Sequence, residues 1–159
     1  MIELYPEDTL THGERLLIRT VRLLALTQPC HGLQGLFEQA CGCAGHESYR
    51  VLEVFLQQLG AWGRRRLALS VPADLRLTDD ETLILDAFGC AQAEDYRSLD
   101  ERLTSLVGGE PPPALGAAAC MVAQALAMNG LLLRVRETPD VMRAAPCRHQ
   151  HDAWKMAAE

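Results

Sequence analysis

Cys41-Gly42-Cys43-Ala44-Gly45-His46 gathers two thiols and an imidazole into one short stretch, between two segments that read as amphipathic helices. Those residue types permit two chemistries. Cys41, Cys43 and His46 could supply three ligands to a zinc ion, with a fourth from Cys30, His31, or Cys147 and His151, which lie four apart near the end of the chain. Structural zinc sites, however, usually space paired cysteines by two to four residues, and here a single glycine separates them. The alternative is a redox thiol. Cys43 precedes a helix start, where the positive end of the macrodipole lowers a thiol pKa, and His46 could act as a base. A disulfide across one intervening residue is strained and oxidising, and the chain has no Cys-x-x-Cys. The spacing therefore favours a structural role. Cys41, Cys43 and His46 are not expected to converge on a metal, and no catalytic, cofactor-binding or metal-ligating residue is assigned.

The other polar candidates have structural explanations. Cys90 and Cys120 fall in apolar helical stretches and read as packing residues, and His12 and His31 read as loop histidines flanking the first helix. Asp79-Asp80-Glu81 and Glu94-Asp95 resemble metal carboxylates but open predicted helices, where capping and the macrodipole favour acids. Three helices followed by Arg64-Arg65-Arg66 and a β-prone run give the element order of a winged helix, with Arg50 on the reading helix. That helix also carries Glu47 and Glu53, so a nucleic-acid partner is not expected. No glycine-rich phosphate loop, nucleophile elbow or dinucleotide fingerprint is present.

The elements around these residues are almost all helical. Apolar periodicity predicts helices over 13–28, 33–41, 47–62, 78 to about 89, 94–107 and 113–129. Thr11 with Glu14 forms a capping box for the first, whose Leu17, Val21 and Leu24 face the core and whose Arg15, Arg19 and Arg22 face away. Thr78 caps the fourth, and the sixth is apolar all round, which places it centrally or at a subunit interface. Leu17, Val21, Leu24, Leu52, Phe55, Leu56, Leu59, Phe88, Leu99, Leu103, Val122 and Leu126 form the expected core. Two short extended runs, near 66–72 and 130–136, echo one another weakly, short of a repeat, and could pair as a two-stranded ribbon.

Length and charge set the outer limits. The 159 residues, 48% of them apolar, suit one all-α domain of five to seven helices over 1–136, with a tail, 137–159, packed on it through Trp154. The net charge is −6, and residues 67–110 hold ten acids against three arginines. An acidic surface repels phosphate backbones. Met1 to Thr11 lacks the basic start and apolar run of a secretory signal, so the cysteines are expected to be reduced in the cytoplasm. The charge-free stretch Ala114–Leu133 is alanine-rich and carries Gln124 and Asn129, so no membrane span is expected. The function expected from all this is a non-catalytic helical interaction or regulatory protein that recognises a protein partner or its own copy as a homo-oligomer. A zinc- or thiol-dependent protein and a winged-helix-like nucleic-acid binder are the alternatives.

Overall fold

The computed structural model describes residues 9–26, 31–74 and 76–136, with the side chains of residues 26 and 31 outside the description. The expectations for Cys30, Cys147, His151, Trp154 and the tail lie outside the described residues. The fold is all helical: α1 (His12–Leu26), α2 (His31–Cys41), a 3-10 turn (Gly42–Ala44), α3 (Gly45–Trp62), α4 (Asp79–Gln92), α5 (Tyr96–Val107) and α6 (Pro113–Met128).

Local chemistry sets the boundaries. Thr78 and Glu81 form a complete capping box at α4, and Thr11 and Glu14 make the same two bonds at α1: Glu14 N–H to Thr11 Oγ1, 3.2 Å, and Thr11 N–H to Glu14 Oε2, 2.9 Å. Asp95 caps α5, and Pro113 opens α6 at the one helical position where its missing N–H costs nothing. α2 and α5 both end on a glycine in the left-handed region, Gly42 (φ 58) and Gly108 (φ 77). α4 ends at Gln92, shortly after Gly89, where its sequence places the break. α3 packs mainly on α6, α4 on α5 and α6, and α2 on α3. One connected core results, with Phe55 and Phe88 in contact at its centre (ring centroids 4.9 Å apart). It contains every residue expected there, Leu24 and Leu56 at its partly buried margin.

The expected β ribbon is not formed. Among the described residues there is no strand, and the two extended runs do not pair with each other. Each instead lies as a strap against helices, its backbone polar groups met by side chains. In the first strap, 66–71, Ala68 O accepts from Thr78 Oγ1 (2.5 Å) and Ser70 N–H donates to Glu81 Oε1 (2.8 Å). In the second, 131–136, Leu132 O accepts from Thr11 Oγ1 (2.6 Å) and Arg134 N–H donates to Glu14 Oε1 (3.0 Å).

These are the same bonds made twice, and the correspondence extends through the chain. Leu10-Thr11-His12-Gly13-Glu14 aligns with Leu77-Thr78-Asp79-Asp80-Glu81, both leucines buried. The same shift pairs buried Leu17, Ile18 and Val21 with Ile84, Leu85 and Phe88, and Leu52, Phe55 and Leu59 with Ala119, Val122 and Leu126. Gly63 falls on Gly130, and Leu67-Ala68-Leu69-Ser70-Val71 then matches Leu131-Leu132-Leu133-Arg134-Val135, with Arg64-Arg65-Arg66 as the insertion between. The halves are reciprocally docked. The first strap binds the N-terminus of α4 and the second that of α1. Likewise α2 touches α6 while α5 touches α3.

Candidate functional site

The cysteine–histidine cluster is pulled apart by the turn that contains it. Cys41 ends α2 pointing into the core at 2% exposure, and burial raises its thiol pKa, which makes it a poor nucleophile. Gly42 then reverses the chain, and Cys43 projects from the 3-10 turn into solvent. Gly45 starts α3 so close to α2 that a Cβ there would stand 2.5 Å from Glu38 Cα. His46 lies outside, its Nδ1 hydrogen-bonded to the Gln34 amide and 3.9 Å from Glu38 Oε1. Cys41, Cys43, Cys90 and Cys120 form no disulfide, and burial raises the thiols of Cys90 and Cys120 as well. Among the described residues no group of three or more histidine, cysteine or acidic side chains is arranged to hold a metal.

Two members of the arginine run, Arg64 and Arg65, are tied to the fold. Arg64 N–H donates to Val107 O (2.8 Å), and Arg65 reaches Ser105 O (3.1 Å) and Asp80 Oδ1 (2.7 Å). The insertion thus brings cations to the C-terminus of α5, which has no basic residue in its own last turn. The segment beyond it forms no β wing. Arg50 is exposed on α3, beside Glu47.

The polar residues that matter most structurally are Glu14 and Glu81, which the sequence marks only as helix caps, and Arg22, Asp86 and Gln92, which it does not single out for any polar role. Arg22, expected on the outer stripe of α1, is 1% exposed and grips the fully buried Glu81 with a fork of two bonds (2.7 and 3.0 Å). Its remaining N–H groups reach Asp74 O and Arg76 O. Glu14, equally buried, faces Arg134 and Arg136 from the second strap, at 3.0 and 3.4 Å. Burial pushes its carboxyl up, but bonds from the Arg134 guanidinium and from the Thr11 and Arg134 N–H groups, with the charge of Arg136, hold it below the ordinary range. Asp86 goes the other way: burial raises it, and Arg136 at 3.4 Å, with Arg102, only partly compensates. Gln92 completes the binding of the second strap, donating to Leu131 O and accepting from Leu133 N–H. Every one of these carboxylates is occupied by backbone N–H groups or arginines of its own chain.

What faces outward is different in kind. On α6, which has no charged residue, Ala114, Ala117, Met121, Gln124 and Met128 are exposed, Met121 at 50% and Met128 at 79%. The matching positions of α3, Glu47, Arg50, Val54, Gln57 and Ala61, are exposed too, but there the stripe is partly charged. A shallow groove of about 210 Å³ runs between the helices, with Glu47, Ser48 and Val51 of α3 facing Met121, Gln124 and Met128 of α6. The start of α3 thus lies beside the end of α6, so the pair is antiparallel. The two stripes thus occupy corresponding positions of the repeat. No helix of the described residues is long and apolar enough to cross a membrane. Comparison with protein-family models, with curated proteins and with solved structures gives no match.

Proposed function

We propose that this chain is a non-catalytic interaction protein that binds a protein partner through the outer face of α6 and the α3–α6 groove. The observation that supports this reading most directly is the exposure of Met121 and Met128 on a helix without charge, in a chain whose net charge is −6. Adaptable methionines in a shallow apolar groove suit the recognition of a helix face. The chemistry-bearing groups of the interior support it from the other side, since Glu14, Glu81 and Asp86 already balance arginines of this chain. The thiols without disulfides fit a reducing compartment, for which the cytoplasm is the proposal. The test is site-specific photocross-linking of the full chain in its source cells, with a photoreactive phenylalanine analogue in place of Met121 and, as control, of the exposed Asp100 on α5. Discrete protein adducts from position 121 alone are expected. Adducts from both positions, or from neither, would overturn the reading.

A further inference from the structure

We propose that the occupant of this face is a second copy of the chain, its α6 packed antiparallel on the first across a two-fold. The inference rests on the interaction reading above and adds the partner to it. Ala114, Ala117, Met121, Gln124 and Met128 recur alternately three and four residues apart, the spacing of a helix seam that packs on another helix at a shallow angle. Size changes along that seam: alanines in its first half, Met121 in the middle, Gln124 and Met128 in its second half.

This gradient selects the orientation. Parallel packing would set Met128 against Met128 and Ala114 against Ala114, crowding one end and leaving the other empty. Antiparallel packing centred on Met121 sets each Met128 over the Ala114 of the other copy and each Gln124 over its Ala117. Large then meets small along the whole seam, the pattern that fills an interface without voids. The same arrangement is isologous, so it closes at two copies.

Charge points to the same occupant. Two copies with a net charge of −6 repel on approach except through a face that contributes none of it, and α6 is such a face. At its rim on α3, Glu47 and Arg50 stand one turn apart and exposed, so a two-fold can bring each toward the opposite sign on the other copy. The 16 residues of α6 span only about 24 Å, so the contact is smaller than a standard interface. A dissociation constant of roughly 1–100 µM follows.

Sedimentation equilibrium of the full chain from about 1 to 200 µM decides the matter, that range bracketing the expected constant. The wild type is expected to dimerise reversibly within it. Ala117→Glu and Met128→Glu should each weaken the dimer roughly tenfold or more, because each puts like charge into the seam. Both sites are exposed in the single chain, so helicity of the dilute variants should stay unchanged, and Gln124→Glu gives a third reading at another seam position. Ala114→Glu combined with Met128→Lys in one chain should recover dimerisation, since antiparallel packing pairs the new charges twice. A wild type that stays monomeric overturns the second copy as occupant. Adducts from position 121 in the cross-linking test would then still stand for a different partner, so the two failures are distinguishable. A dimer indifferent to these substitutions, or one that the paired charges fail to recover, overturns the proposed packing.

Discussion

Glu14 and Glu81 show how one residue type at one spacing can hold two pieces of chain together. A capping box uses the N3 carboxylate to accept one backbone N–H; here each carboxylate also accepts a second from a strap, 11 positions before Glu81 and 120 positions after Glu14. Burying it is costly unless a cation follows, and Arg22 supplies one for Glu81, Arg134 and Arg136 for Glu14. Arg22→Leu should therefore cost about 3–5 kcal/mol in urea unfolding, because it strands Glu81. Arg22→Lys should recover little, since an ammonium cannot reproduce the planar fork. Glu14 gives a pH signature. Its pKa is lower folded than unfolded, so its contribution is present above the ordinary carboxylate value, about 4.3, and is lost as pH falls through the folded value. Glu14→Gln should cost about 3 kcal/mol at pH 7, and the deficit should shrink steadily below about pH 4. Asp86 acts with the opposite sign: its raised pKa means the fold gains stability as the pH drops through its folded value. The Thr-x-x-Glu boxes are legible in the sequence. Arg22 is not, because helical periodicity groups it with Arg15 and Arg19. Only the loop that delivers Asp74 O and Arg76 O to the end of α1 turns that part of the stripe inward.

Among the elements, the helices follow from apolar periodicity and caps, while the straps do not. An alternating apolar run announces extended backbone but not what will bond to it, and Thr11, Glu14, Gln92, Thr78 and Glu81 here take the place of a neighbouring strand. Gly89 is the clearest case of a signal with two meanings. As a helix breaker it marks the region where α4 ends, at Gln92, yet the glycine itself lies within the helix and provides clearance where the second strap crosses. A Cβ at Gly89 would stand 2.6 Å from Arg134 O. Gly89→Ala should accordingly destabilise the fold by about 1–3 kcal/mol despite its better helix propensity. Gly60→Ala, in α3 with nothing within 4 Å of the added atom, should stabilise it by about 0.5 kcal/mol. Thermal or urea midpoints of the two variants moving the same way would contradict this account. The cysteine cluster is readable in part: the one-residue spacing favours a structural role, but that Gly42 sends one sulfur inward and the other outward depends on its left-handed φ.

At the scale of the molecule, reciprocal docking makes the two halves one cooperative body. Removing the Glu14 carboxylate should lower the amide exchange protection of α6 as much as that of α1, because the second strap ties them together. Loss confined to α1 would show that the halves open independently. The repeat was barely visible in sequence because only the capping box and the straps keep similar residues. Elsewhere the halves share burial but not side chains, as with Leu52 against Ala119 or Arg22 against Gly89. The second strap carries a further consequence, for biosynthesis. The bond from Arg134 N–H to Glu14 spans 120 positions. At roughly 5–20 residues per second, α1 is made some 6–24 s before the segment that neutralises its glutamate. During that interval the first half carries an uncompensated carboxylate and an uncovered helix start. The native fold is therefore sealed only once the second strap has emerged and closes over the first helix.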